Sequence, residues 1–368
     1  MDIKYMKRAL ELAEKGAGFV NPNPMVGCVI VKNGSIIGEG YHKYFGGNHA
    51  EVEALNSVVE NPENSIMYVT LEPCSHFGKT PPCVNRIINS GIKKVIIATL
   101  DPNPLVSGKG VEILKNNGIE VEIGILENEA RKLNEIFIKY ITTKVPFCLM
   151  KTAMTLDGKI ATKFSDSKWI TGKTSRQYVH KLRHRYSAIM VGINTIIVDN
   201  PQLTVRLKNF KGKNPVRVIV DSRCRIPLDA KVVKDVSNAR TIVATTVLAD
   251  KSKTKKLKEL GVEVLTTPTI NGRVDLNYLM KKLGEMGIDS ILLEGGGTLN
   301  YSALKSNIVD KINFFIAPKI IGGHLSKTPV DGDGIPFVKD SFYIDNITIH
   351  KLDEDIMIEG YIRNKEGD

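Results

Sequence analysis

The chain has 368 residues, 42% of them hydrophobic, and a formal net charge of +11. That length exceeds what one hydrophobic core usually serves, so two domains are expected, with apolar content enough for a core in each. No apolar run approaches the roughly 20 residues of a membrane span, and residues 1–8 lack the apolar segment of a signal peptide, so a cytoplasmic protein with no membrane partner is expected.

The elements follow in chain order. Residues 4–15 have helical periodicity and end at Gly16. Residues 25–31 and 36–41 read as strands around Asn33-Gly34, a hairpin signal. A helix over 50–59, a strand over 65–71 and a short helix over 84–89 come next. Then follow a strand over 94–100, a helix over 110–116, a strand over 120–125 and one long amphipathic helix over 127–141. Lys144-Val145-Pro146 marks a boundary, giving domains 1–144 and 145–368. The second series has strands over 147–154, 188–192, 217–221, 241–246, 262–265 and 290–293. Helices over 175–186, 253–260, 276–286 and 299–305 alternate with them. Strands over 311–316, 342–350 and 356–362 close the chain. Both halves are therefore α/β.

The positive charge comes in no long block of Lys and Arg. It reads as a solvated lysine-rich surface compatible with an anionic small molecule, and no nucleic-acid partner is expected. The five cysteines are odd in number in a long chain, which argues against a disulfide framework. Cys28 and Cys148 sit in apolar runs and read as buried hydrophobes, and Cys224 lies in a loop. Cys74 and Cys83 stand in a context that asks for chemistry.

That context is His49-Ala50-Glu51 followed by Pro73-Cys74 and Cys83. Imidazole and thiolate are zinc ligands, and a catalytic zinc keeps a coordination position for water. His49, Cys74 and Cys83 supply three ligands. Glu51, at a predicted helix start, can reach the metal's water without being a ligand, as in zinc deaminases. Zinc makes that water acidic near neutral pH, and Glu51 carries its proton to the ring nitrogen and the leaving ammonia. Both cysteines lie near predicted helix N-termini, which favour thiolate. Eight residues separate the cysteines, where two is usual. His76 within that stretch is an alternative fourth ligand of a structural zinc, a reading that leaves Glu51 without a role.

The stretch Pro73-Cys74-Ser75-His76-Phe77-Gly78-Lys79-Thr80-Pro81-Pro82-Cys83, with His49-Ala50-Glu51, resembles the deaminase domain of the bifunctional riboflavin-biosynthesis deaminase/reductase family. Asn21-Pro22-Asn23-Pro24 and Asp101-Pro102-Asn103-Pro104 match it too. The resemblance implies a cytidine-deaminase-like N-terminal domain. It also implies a phosphorylated pyrimidine substrate, 2,5-diamino-6-ribosylamino-4(3H)-pyrimidinone 5′-phosphate, that loses its 2-amino group. Asn23, His42, Lys79, Asp101 and Asn103 are then contacts to the substrate; turn chemistry is the plainer reading of the Asn and Asp residues.

In the second half an apolar strand runs into Glu294-Gly295-Gly296-Gly297 and a helix. Such a turn suits phosphate but also arises for packing, and it lacks the spaced dinucleotide pattern. Lys151-Thr152-Ala153-Met154-Thr155-Leu156-Asp157-Gly158, Trp169-Ile170-Thr171-Gly172 and Asp199-Asn200-Pro201-Gln202-Leu203-Thr204-Val205-Arg206 resemble the family's reductase domain. The resemblance implies a dihydrofolate-reductase-like fold. It implies NADPH along Ala153, Trp169, Thr171, Thr195, Asp199, Ser222, Gly296, Gly297, Thr298, Leu299, Asn300, Tyr301 and Ser302. It implies substrate near Lys151, Ser167, Arg183, Leu203, Arg206 and Glu294, with ribosyl reduced to ribityl. Arg183 and Arg206 offer forked donors to a phosphate. Lys151, Asp199 and Glu294 are candidate proton donors. The resemblance also implies a homo-oligomer. The competing readings are a nucleoside or tRNA deaminase with an accessory domain, and a zinc-stabilised nucleic-acid-binding module. The cysteine spacing and the second-half motifs disfavour the first; Glu51 and the free coordination position disfavour the second.

Overall fold

The computed structural model describes residues 2–75, 82–103, 106–208, 210 and 212–363. The chain divides into two compact units, Met1–Lys144 and Val145–Asp368. Among the described residues, no helix is long and apolar enough to cross a membrane.

The first unit comprises α1 (Asp2–Glu14), β1 (Gly27–Lys32), β2 (Ser35–Tyr41), α2 (Ala50–Asn56), β3 (Ile66–Val69), α3 (Cys83–Asn89), β4 (Lys94–Ile97), α4 (Lys109–Asn116), β5 (Glu120–Ile123), α5 (Glu127–Leu133) and α6 (Glu135–Thr143). Its sheet runs β2-β1-β3-β4-β5, antiparallel through β1 and parallel from β3 to β5. Strand side chains alternate between faces, and helices cover both. Cys28 and Ile30 pack with Ala50, Ala54, Val84 and Ile87 on one face, while Val29 and Val31 pack with Met6, Ala9 and Leu12 on the other. The hairpin turn has Asn33 and Gly34 at φ 50° and 79°, as a two-residue turn matched to strand twist requires. Gly40 lets α2 approach β2: a Cβ there would lie 2.2 Å from Ala54 N. That approach sets the start of α2, where the metal-type residues stand.

The helix expected over 127–141 is two helices. Asn134 stands between α5 and α6 with φ −102° and ψ 20°. A buried amide must find partners, and this one takes both backbone groups of Met25: Met25 N donates to its Oδ1 at 2.8 Å, and its Nδ2 donates to Met25 O at 2.9 Å.

The second unit comprises β6 (Phe147–Thr155), α7 (Lys173–Arg185), β7 (Ala188–Gly192), α8 (Ile193–Asp199), β8 (Val216–Val220), α9 (Lys231–Lys234), β9 (Thr241–Thr246), α10 (Lys251–Glu259), β10 (Glu263–Thr267), β11 (Thr269–Ile270), β12 (Arg273–Val274), α11 (Leu276–Glu285), β13 (Ser290–Leu293), α12 (Gly297–Lys305), β14 (Lys311–Ala317), β15 (Ile344–Leu352) and β16 (Asp355–Ile362). Nine strands form one sheet in the order β10-β9-β8-β7-β13-β6-β14-β16-β15, parallel except at the last two pairings. β7 is buried on both faces: Ala188 and Met190 join one core cluster, Ile189 and Val191 the other.

Three short elements were not expected: α8, α9 and the β11–β12 hairpin. The sequence Ile193-Asn194-Thr195-Ile196-Ile197-Val198 is rich in β-branched residues and favours a strand. It is helical because Ile193 and Ile196 dock into the core beside Val191 and Leu203, and packing overrides propensity.

Candidate active sites in each unit

His49 is the residue before α2 and Glu51 lies in that helix's first turn. Cys83 is the first residue of α3. The ligand atoms of His49, Cys74 and Cys83 all lie within 4.8 Å of one another. Cys74 Sγ is 3.4 Å and Cys83 Sγ 3.2 Å from His49 Nδ1. The Cys83 backbone N–H donates to Cys74 Sγ at 3.3 Å, so the start of α3 serves both thiols.

Hydrogen bonding from the Cys83 thiol, with lesser help from His49 and the Cys83 N–H, holds the Cys74 thiol down to about 4. The Cys83 thiol is correspondingly pushed up beside that charge and by burial. A bound dication removes this conflict, and one imidazole with two thiols is a donor set that fits zinc. Glu51 is buried, and burial pushes its carboxyl up to about 7. It lies within hydrogen-bonding reach of the Cys83 thiol.

Two further expected residues join this cluster. The His42 ring meets His49 edge-on with centroids 5.7 Å apart. Its Nδ1 lies 2.9 Å from Asn48 O and its Nε2 3.2 Å from Asn23 Nδ2. Burial lowers the affinity of His42 for a proton. Asp101 and Asn103 stand in the loop after β4, where Asn103 N donates to Asp101 Oδ1 at 2.8 Å. Lys79 and His76 lie outside the described residues.

Sequence reasoning missed Glu72. Its buried carboxylate accepts from the backbone N–H groups of Asp101 at 3.2 Å, Gly108 at 3.0 Å, Gly110 at 2.9 Å and Val111 at 3.3 Å. It thereby joins the segment bearing Cys74 to the Asp101 loop and the start of α4. Its only sequence signal was a charge beside Pro73-Cys74.

In the second unit the parallel strands β6, β13, β7 and β8 are adjacent. Their carboxyl ends deliver Lys151–Ala153, Glu294, Gly192 and Ser222 to one edge, where parallel sheets bind ligands. A cavity of about 350 Å³ there is lined by the expected Lys151, Ala153, Ser167, Trp169, Thr171, Arg183, Thr195, Asp199, Leu203, Arg206, Glu294 and Gly296. A second, of about 620 Å³, is lined by the expected Thr195, Asp199, Ser222, Gly296, Gly297, Thr298, Leu299 and Ser302. The two share Ile160, Ser167, Thr195, Asp199 and Gly296, so they form one cleft. Gly296 fits a phosphate cradle: a Cβ there would meet no protein atom within 4 Å, leaving its backbone open to the cleft.

Asn300 and Tyr301 do not line either cavity. Asn300 is buried and donates to Gly295 O at 3.2 Å and Pro329 O at 2.8 Å, and the Tyr301 hydroxyl donates to Gly334 O at 2.7 Å. Trp169 is 63% exposed, which excludes core filling, and the Arg176 guanidinium lies 4.6 Å from its ring centroid.

Arg183 grips Glu294 with Nε and Nη2 at 2.7 and 2.9 Å, and Lys151 Nζ stands 3.6 Å from the same carboxylate. Burial alone would raise the Glu294 carboxyl, but the charges of Arg183 and Lys151 prevail and hold it at about 2. Burial makes Lys151 shed its proton more readily, against the pull of Glu294. His180 is held at about 4 by burial and by Arg183 and Arg206, and its Nδ1 accepts from Arg206 N at 3.2 Å. Arg176, His180 and Arg183 fall on one face of α7, a spacing the sequence offered but polar periodicity did not single out. The start of α7 is held from β16: the buried Asp355 accepts from Gly172 N at 2.7 Å and from Ser175 Oγ at 2.5 Å.

The description "RibD C-terminal domain" matches residues 146–357, and "Cytidine and deoxycytidylate deaminase zinc-binding region" matches residues 1–99. The riboflavin biosynthesis protein RibD of Actinobacillus pleuropneumoniae is 50% identical over 97% of this chain and 94% of its own. That of Aquifex aeolicus is 49% identical over 97% and 98%. The solved structure of Acinetobacter baumannii RibD matches with a TM-score of 0.87 at 38% identity, covering 99% of both chains. A Thermotoga maritima diaminohydroxyphosphoribosylaminopyrimidine deaminase/5-amino-6-(5-phosphoribosylamino)uracil reductase matches with a TM-score of 0.84 at 43% identity, over 98% of this chain and 99% of that one. Likeness at this level runs through both units, and the chain belongs to the RibD family: bifunctional enzymes of riboflavin biosynthesis that join a zinc-dependent deaminase to an NADPH-dependent reductase.

Proposed function

We propose that residues 1–144 deaminate 2,5-diamino-6-ribosylamino-4(3H)-pyrimidinone 5′-phosphate at its 2-amino group. Residues 145–368 then reduce the ribosyl chain of the product to ribityl. The observation that carries this reading is the buried Glu51 carboxyl against the His49, Cys74 and Cys83 cluster, within a chain that also builds a continuous cleft at the end of a parallel sheet.

His49, Cys74 and Cys83 would hold zinc, which supplies acidification of a water near neutral pH. Glu51 would take a proton from that water and pass it to the ring nitrogen, then take the remaining proton of the added hydroxyl and give it to the amine, which leaves as ammonia as the carbonyl forms. A carboxyl near 7 serves as both acceptor and donor. Asn23 and neutral His42 present polar groups beside the cluster to orient the pyrimidine.

In the second site NADPH supplies the hydride. Trp169 and Thr171 in the smaller cavity and Gly296 and Gly297 at the glycine turn would hold the cofactor. Arg206 meets the substrate phosphate, and Arg183 holds Glu294 in place. The substrate C1′ accepts hydride once its ring has opened, and its oxygen takes a proton. Glu294, ionised at neutral pH, accepts hydrogen bonds instead of donating that proton. Lys151 and Asp199 remain the donors within the cleft.

The test is incubation of the purified protein with the diamino substrate, with and without NADPH, and identification of products by mass. Without NADPH, nitrogen is exchanged for oxygen; with it, the product also gains a hydride and a proton. No mass change at all overturns the proposal.

A further inference from the structure

Residues 156–172 join β6 to α7 without a helix or strand of their own. The backbone groups of such a connection must find partners elsewhere. At its end, from Trp169 to Gly172, side chains from distant parts of the unit supply them. Lys319 Nζ donates to Trp169 O at 2.8 Å and to Ile170 O at 2.7 Å. Arg176 Nη1 donates to Thr171 O at 2.6 Å, and Asp355 takes the Gly172 N–H.

Lys319 lines neither cavity of the cleft. It stands two residues after β14, and the segment it belongs to is tied to the same connection. Leu156 N donates to Lys319 O at 2.9 Å. Asp157 accepts from Ile321 N at 3.2 Å and from Gly322 N at 2.6 Å. A surface lysine usually keeps its ammonium in water. This one makes no ion pair among the described residues and aims two of its three donors at adjacent carbonyls.

The consequence falls on Trp169, the only tryptophan of the chain. Its ring is largely exposed, and with Ile170 and Thr171 it walls the smaller cavity. An exposed ring swings with its backbone unless both are held. The Arg176 guanidinium stands over the ring, a cation–π contact, and Lys319 holds the backbone beneath it. A wall set before the ligand arrives spares binding the cost of ordering it.

We propose that Lys319 is a positioning residue of the reductase: by holding the Trp169 and Ile170 carbonyls it keeps Trp169 as a preformed wall of the cleft, and so sets how tightly NADPH binds. This rests on the reductase reading above.

Full-length protein is compared as wild type, Lys319→Met and Lys319→Arg. Methionine keeps much of the side chain's length and has no donor. In the unliganded protein, the fluorescence anisotropy of the single tryptophan should fall in Lys319→Met, because the ring gains motion. NADPH affinity, read by calorimetry, should weaken about 10-fold, the worth of charge-assisted hydrogen bonds at a partly exposed site. On deaminated substrate the KM for NADPH should rise by a similar factor with kcat nearly kept. Lys319→Arg should recover most of both signals, since a guanidinium can serve two carbonyls. In a Trp169→Ala background, where no wall is left to hold, Lys319→Met should cost little further affinity. Unchanged anisotropy overturns the proposal. So does unchanged NADPH affinity, an equal loss in the Trp169→Ala background, or a fall in kcat at constant KM. A wild type that neither binds nor oxidises NADPH overturns the reductase reading, while the anisotropy of the unliganded protein still judges the hold of Lys319 on Trp169.

Discussion

The two sites are assembled on opposite principles. The cluster in the first unit draws its ligands and its carboxyl from two helix starts and the segment between them, with ligand atoms inside 4.8 Å. The cleft in the second unit collects side chains from the ends of four parallel strands, from α7 and from α12. Metal ligation needs a few atoms of particular chemistry at close range. A dinucleotide needs an extended cradle made largely of backbone and shape. The first kind of site should therefore fail at a single atom, and the second should erode.

Glu51→Gln gives the largest expected effect and tests that contrast directly. The amide keeps the size and burial of the side chain but cannot take a proton. Deamination should fall about 10²- to 10⁴-fold, the usual share of a positioned general base. Bound zinc, read by elemental analysis, should stay at the wild-type level. NADPH oxidation on pre-deaminated substrate should persist. Loss of both activities together would break the comparison, because the two sites would not then be independent.

Glu294→Gln is the corresponding change in the second unit. It leaves Arg183 and Lys151 buried without their counter-charge, which typically costs about 3 kcal/mol. Denaturant unfolding followed in the second unit, together with reductase kcat/KM, should both register the loss, and deamination should not. The pH dependence has a definite sign. The Glu294 carboxyl is held at about 2, below its ordinary 4.5. Its stabilisation is therefore fully present above about 4.5 and disappears as pH falls towards 2. The variant should lack that part of the acid sensitivity of the wild type; an unchanged acid profile would remove the ion pair from its role.

The same contrast governs what was legible in the sequence. His49, Glu51, Cys74 and Cys83 could be read because thiol and imidazole at fixed spacing have few other uses. β7, β9 and β13 emerged at their observed limits because buried parallel strands are short apolar runs between turn residues. Asn134 could not be read as a helix break, since its reason is the Met25 backbone more than 100 residues away. α8 was hidden by β-branched residues whose helical form is enforced by packing. In the cleft, the family motifs pointed to Trp169 and the glycine turn. They also swept in Asn300 and Tyr301, which continue the motif along α12 but are buried against Gly295, Pro329 and Gly334. Glu72 and Lys319 were illegible because only the fold brings their partners to them.

Asp355→Ala is the smallest change and the one that most sharpens the contrast. Asp355 touches neither cavity. It supplies, from β16, the acceptor that Gly172 N–H and the Ser175 hydroxyl lack within α7. Removing a capping carboxylate costs about 1 kcal/mol, rarely more than about 2, so the unit should still fold. The loss is felt at the first turn of α7, ahead of Arg176, His180 and Arg183. Reductase KM for the pyrimidine should rise severalfold with kcat nearly kept, because the helix frays without altering the reacting groups. Asp355→Asn, which retains an acceptor oxygen, should recover most of it. A site that erodes through its scaffold behaves this way. If kcat fell instead with KM constant, Asp355 would be acting on the chemistry, and the cleft would prove as atom-dependent as the metal cluster.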